Sequence, residues 1–155
     1  MQPNSCIMNT DSIERHIEIE APVSRVWRAL TDHGEFGRWF GAELEGPFAP
    51  GKTTAGKITG PGCANIPFTV TVQRMEAERY FSLTWHPYAV KEGVDYSKET
   101  PTLVEFRLAA SQAGTRLSVK ESGFDKLPAG RRSEAFRMHE QGWAEQMKNI
   151  RAHVA

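Results

Sequence analysis

Arg131–His153, RRSEAFRMHEQGWAEQMKNIRAH, lies in the longest proline-free run of this 155-residue chain, and its reading decides the fold. Phe136, His139, Trp143, Met147, Ile150 and Val154 recur at steps of three and four, which places them on one stripe of a helix with 3.6 residues per turn. Arg132, Glu134, Arg137, Glu145, Lys148, Asn149 and Arg151 take the other face, and Gly142 is the single glycine. Such a helix is roughly 35 Å long. A stripe that carries a Phe and a Trp needs a broad apolar surface opposite it, and the chain upstream can be read for one.

That surface reads as strands. From Ser12 to Glu20, Ile13, Ile17 and Ile19 alternate with Glu14, His16, Glu18 and Glu20, the period of a half-buried strand. Ala21-Pro22 stops it and suits a helix start, after which Val23, Val26, Trp27 and Leu30 mark a short amphipathic helix. Asp32 to Phe40 breaks at Gly34 and resumes with Phe36, Trp39 and Phe40, as a second short helix or a tight aromatic loop. Gly-Pro punctuation then leaves room for short strands at Ala42 to Glu45 and Thr53 to Thr59. Alternation sharpens at Ile66 to Met75 and at Arg79 to His86, a hairpin joined through Glu76-Ala77-Glu78. A polar loop, 87–101, precedes a second hairpin in which Thr102, Val104, Phe106 and Leu108 lead through Gln112-Ala113-Gly114 to Thr115, Leu117, Val119 and Glu121. Short links between successive strands predict an antiparallel meander with the helices packed on one face, an α+β fold.

The totals fit a single domain over residues 11–155 behind a flexible tail, 1–10. Nineteen basic and nineteen acidic side chains give no net charge, so nothing draws the protein towards nucleic acid or an anionic membrane. Cys6 and Cys63 suggest neither a disulfide framework nor a metal spacing. No secretory signal and no run of eighteen apolar residues is present, which leads us to expect a cytoplasmic protein without membrane insertion.

A sheet with one apolar face around one long helix either closes fully or leaves a pocket. The expected lining on the strands is Phe68, Val70, Phe81, Leu83, Trp85, Val104 and Phe106, with Trp143 facing them from the helix. Trp39 and Phe40 either line a mouth to this space or plug the core. Pockets for small molecules are mostly apolar with a few polar groups, and two polar residues are in phase to point inward. Glu121 continues the phase of Leu117 and Val119, and His139 lies on the helix stripe one turn before Trp143. Together they could fix a ligand's polar end or act as an acid/base pair; the plainer reading is a carboxylate at a strand end and a hydrogen-bonded core histidine.

Ile19-Glu20-Ala21-Pro22-Val23-Ser24-Arg25-Val26-Trp27-Arg28-Ala29-Leu30-Thr31-Asp32 resembles the opening of the SRPBCC (START-like) superfamily. Within it the chain is similar to the branch named for the C-terminal domain of the heat-shock protein 90 ATPase activator. Phe36 to Phe40, Leu83-Thr84-Trp85, Thr115-Arg116-Leu117, Glu121-Ser122-Gly123-Phe124 and His139-Glu140-Gln141-Gly142-Trp143 extend the likeness over about residues 12 to 153. The resemblance implies a helix-grip fold with a hydrophobic cavity between sheet and C-terminal helix. Members bind lipids, sterols, polyketides or hormones, and a minority catalyse cyclisation or hydrolysis. ATPase activators of that branch carry a separate N-terminal domain absent from this sequence, so a small ligand is expected ahead of a chaperone partner.

Other chemistry lacks support. His139-Glu140-Gln141-Gly142-Trp143 begins like a zinc-protease helix, but Trp143 stands where the second histidine ligand belongs, so no metal is expected. Gly60-Pro61-Gly62-Cys63-Ala64-Asn65 has neither the third glycine of a dinucleotide loop nor a phosphate-loop lysine, and no cofactor is expected. Three classes remain: a carrier or sensor of a small apolar ligand, an enzyme using Glu121 and His139, and a protein-interaction or stress-response module. The chain is expected to be a monomer or a homodimer.

Overall fold

The computed structural model describes residues 11–59, 66–86 and 99–155. The expected tail, Cys6, Cys63 and most of the 87–101 loop lie outside the described residues. Strands β1 (Ser12–Ile19), β2 (Ala42–Leu44), β3 (Thr53–Ile58), β4 (Pro67–Glu76), β5 (Tyr80–Trp85), β6 (Thr102–Ala110) and β7 (Thr115–Ser122) form one seven-stranded antiparallel sheet. Its order is β1-β7-β6-β5-β4-β3-β2, so every neighbour except the β1–β7 pair is also a neighbour in sequence. Helices α1 (Val23–Thr31) and α2 (His33–Phe40) follow β1, and α3 (Ala129–Val154) follows β7. This is the α+β helix-grip arrangement.

Register carries the apolar residues to one face. Phe81 pairs with Phe106 and Leu83 with Val104 across β5 and β6, while Phe106 pairs with Val119 and Val104 with Glu121 across β6 and β7. Period-two alternation then fixes the whole inner row, because neighbours in register share a face. The rule breaks once, in β4. A bulge falls between Val72, paired with Leu83, and Arg74, paired with Ser82. Strict alternation would aim Arg74 at the core; the extra residue turns it outward and brings Met75 against the core opposite Phe81.

The Asp32–Phe40 segment is a helix and not a loop. Asp32 caps it by accepting from the Glu35 backbone N–H at 3.0 Å, and Gly41, in the left-handed region at φ 93°, ends it. Within it Gly37 is packed so close that a Cβ would stand 2.3 Å from the Ala42 carbonyl oxygen. That closeness brings Phe36 and Trp39 into the core beside β2.

Helix α3 begins two residues before the expected start, directly after Pro128. Its buried stripe is Ala135, Trp143, Met147, Ile150 and Val154, with His139 half-buried between Ala135 and Trp143. Phe136 is displaced from this line by one position, roughly 100° around the helix. It is half-buried and leans edge-on against Phe124, ring centroids 5.3 Å apart.

Candidate functional site

Glu121 ends the inward row of β7 and is fully buried. An ionised carboxylate offers about four lone-pair directions, and four side chains supply donors to them. The indole N–H of Trp85 donates to Oε2 at 2.7 Å, and the Thr102 hydroxyl donates to the same oxygen. The indole N–H of Trp143 donates to Oε1 at 2.8 Å, and His139 Nδ1 meets that oxygen at 2.7 Å. Burial by itself raises the carboxyl's pKa; the charge of His139 and the hydrogen bonds from His139, Thr102 and Trp85 outweigh it and hold it below the ordinary value. Since the carboxylate has no proton to give, Nδ1 must carry the hydrogen. The tautomer of His139 is thereby fixed.

The two indoles that meet at Glu121 stack on each other, ring centroids 5.7 Å apart and 16° between planes. Trp85 is the centre of a wider group: Phe40 at 5.4 Å, Phe68 at 5.6 Å and the edge of His139 at 6.2 Å. Phe40 also stacks on Phe68 at 5.3 Å. Phe40 and Phe68 are half-buried, and the His139 side chain is 16% exposed. These three, each partly exposed and each packed on Trp85, make an aromatic rim around that indole, and Phe40 is stacked on Phe36 at 5.0 Å as well as on Phe68. Elsewhere the expected lining is closed in: Val70, Phe81, Leu83, Val104 and Phe106 are at most 1% exposed. Trp39 is buried too, its indole N–H donating to the Ala29 carbonyl at 2.8 Å.

A second carboxylate escaped the reading of the sequence. Glu35, in the first turn of α2, accepts from Arg25 at 2.6 Å and from Arg28 Nε at 2.9 Å, and meets His153 Nε2 at 2.9 Å. Burial raises its pKa, yet the bonds from Arg25, His153 and Arg28 and the charge of Arg25 bring it from 4.5 down to about 2. The cluster joins α1, α2 and the last turn of α3. Asp32 three residues before Glu35, and Arg25 and Arg28 one turn apart on α1, were the available signals.

Two open clefts lie elsewhere. One of about 550 Å³ on the outer sheet face is lined by Arg74, Tyr80, Arg107 and Arg116 among others, and one of about 530 Å³ lies beside α2 and β2. Neither is lined by Glu121, His139 or any residue of the rim. Among the described residues no group of three or more His, Cys, Asp or Glu could hold a metal, and no helix is long and apolar enough to cross a membrane.

Comparison with known proteins gives the same architecture. Residues 20–155 match the family described as activator of Hsp90 ATPase homolog 1-like protein. No curated protein matches the chain. A solved Arthrobacter aurescens protein superposes with TM-score 0.77 at 20% identity, covering 96% of this chain and 89% of its own. One from Mesorhizobium loti does so with TM-score 0.72 at 20% identity, covering 92% and 96% respectively. DynU16, a protein in the dynemicin biosynthetic locus, aligns with TM-score 0.67 at 21% identity over 93% of this chain and 47% of its own. At these identities the likeness is one of fold.

Proposed function

We propose, from the premise that this chain belongs to the activator of Hsp90 ATPase homolog 1-like protein family, that it binds a small apolar ligand between the inner face of the sheet and α3. The ligand class is a lipid, a sterol or an aromatic, polyketide-like molecule, and the compartment is the cytoplasm. The family's fold typically binds hydrophobic ligands, and fold by itself does not carry function. The observation that carries the reading here is the rim: Phe40 and Phe68 stay half-buried against Trp85 while the row behind them is sealed. Half-covered aromatic rings beside one polar side chain suit an apolar molecule with a polar end.

A thermal-unfolding screen against fatty acids, sterols, flavonoids and aromatic polyketides tests this. A ligand at ~100 times its dissociation constant adds roughly 2.7 kcal/mol, which in a domain of this size is a rise of several degrees in Tm. A rise confined to one chemical class supports the reading, and no rise from any class opposes it.

The 2.7 Å contact between His139 and Glu121 favours a second reading, an enzyme of the cyclase or hydrolase type. With its lone pairs occupied, Glu121 would serve there by orienting His139, which would exchange the proton. A co-chaperone or stress-response module has less to work with. Met138, 42% exposed, is the one exposed large apolar side chain among the described residues.

A further inference from the structure

The outer face of the sheet carries charge that the inner site does not use. Its cleft of about 550 Å³ is lined by four arginines, Arg74, Arg79, Arg107 and Arg116, and by two carboxylates, Glu76 and Glu105. The two signs lie at different depths: Glu76 and Glu105 are 26% and 16% exposed, whereas the arginine side chains are 50% to 75% exposed. Both carboxylates are already engaged. Glu76 accepts from Arg74 on one oxygen and from Arg79 on the other, and Glu105 accepts from the Tyr80 hydroxyl at 2.6 Å and from Arg107 at 3.3 Å. Arg116 reaches Glu18, outside the cleft, at 3.4 Å. A guanidinium has more N–H donors than the one each of these gives to a carboxylate, so an anion entering the cleft meets donors ahead of acids.

The β4–β5 hairpin departs twice from regular geometry, and each departure delivers an arginine to this cleft. The β4 bulge turns Arg74 outward. Its guanidinium lies 5.2 Å from the centre of the Tyr80 ring, and that of Arg107, on β6, lies 5.0 Å from the same centre, so one ring steadies charges from two strands. In the turn, Glu78 stands at φ 62°, a left-handed conformation usually left to glycine and held by other residues against strain. The turn closes with the Arg79 N–H on the Glu76 carbonyl at 3.0 Å and sets the Arg79 side chain on the Glu76 carboxylate.

We infer that this cleft binds a compact anion of two or three linked phosphates through Arg74, Arg79, Arg107 and Arg116. Guanidinium forks match phosphate oxygens, and linked phosphates concentrate charge that the carboxylates of an acidic peptide spread along a backbone. The positive area is small. Glu18 stands opposite Arg116 and Glu14 opposite Lys120 on the same face, and both glutamates are exposed. A nucleic-acid strand or an anionic membrane, which needs a wide basic surface, would press against them. The cleft lies on the other face of the sheet from Glu121 and the aromatic row, so it stands or falls apart from the ligand-binding reading above.

Calorimetry on the full chain with sodium tripolyphosphate, orthophosphate and a hexa-aspartate peptide tests this. Tripolyphosphate should bind about ten-fold more tightly than either of the others. Arg74→Gln and Arg107→Gln, at exposed positions, should each weaken it by about ten-fold, the loss of roughly one charge-assisted contact. Arg151→Gln removes an equal charge from the last turn of α3 and should change the affinity by less than about two-fold. The wild-type protein gives a second readout that no folding defect can obscure: the backbone amide resonances of Tyr80, Arg107 and Ser118 should move on addition of tripolyphosphate while that of Trp143 stays in place. Equal weakening by all three substitutions would assign the binding to diffuse charge, tighter binding of hexa-aspartate would give the cleft to an acidic peptide, and no binding of tripolyphosphate would leave a network of surface ion pairs; each of these overturns the inference.

Discussion

Replacing Glu121 by Gln would put an amide N–H₂ where an oxygen now faces N–H or O–H donors. At least one of those donors must then meet another donor in a dry interior, and each buried polar group left unsatisfied costs about 1–3 kcal/mol. We expect Glu121→Gln to lose roughly 2–5 kcal/mol, read as a lower denaturant midpoint; an unchanged midpoint would show that the four bonds do not persist in solution. The inward direction of Glu121 was legible from Leu117 and Val119, and that of His139 from its step to Trp143. The two tryptophans as donors were not read. Periodicity reports both as apolar bulk, but a buried indole N–H requires an acceptor, and that requirement is the clue to a carboxylate between them. The partners of Glu35 lie ten, seven and 118 positions away; Asp32 and the Arg25–Arg28 pair signal a cap and a basic helix face, but no local pattern says that they meet at one carboxylate with His153.

Element by element, α3 depends on Trp143 more than on any other side chain of its stripe. The residue is 3% exposed, stacks on Trp85, meets Phe106 edge-on and supplies one of the Glu121 bonds. Trp143→Ala should therefore cost about 3–5 kcal/mol or slightly more, a large part of a typical total of ~5–15 kcal/mol. Chemical denaturation monitored by far-UV circular dichroism measures it, and retention of the wild-type midpoint would mean that α3 does not pack as described. Strand and helix identities were legible because alternation and the three-four spacing are local. The β4 bulge was not. Val72-Gln73-Arg74-Met75 contains neither Gly nor Pro, and the extra residue is set by Leu83 and Ser82 on the neighbouring strand. The two short helices after the first strand were legible as well, and Gly37, close under Ala42, is where the second of them meets β2.

At the scale of the molecule, and among the described residues, two buried carboxylates join layers that are distant in sequence, Glu35 between the three helices and Glu121 between sheet and α3. Both have pKa values held below the ordinary carboxylate value. The folded state therefore binds these protons less readily than the unfolded state, and stability is full above the unfolded value and lost as pH falls through the folded one. For Glu35 the window runs from 4.5 down to about 2. Arg28 is 62% exposed and solvent screens its charge, so we expect on the order of 1–2 kcal/mol from Glu35 across that window. Glu35→Gln should flatten the pH dependence of stability between those limits, followed by urea titrations at several pH values. An unchanged slope would assign the acid sensitivity to other groups.

The tryptophan pair also makes the protein its own optical gauge. Of the four tryptophans in the chain, Trp85 and Trp143 stack on each other at 5.7 Å while both touch one carboxylate and Trp85 meets the edge of His139. Excitation absorbed by either indole can pass to the other at that separation, so the two emit as a unit, and a quencher at one quenches both. A molecule resting against Phe68 and Phe40 would alter the brightness and colour of that shared emission without any label attached.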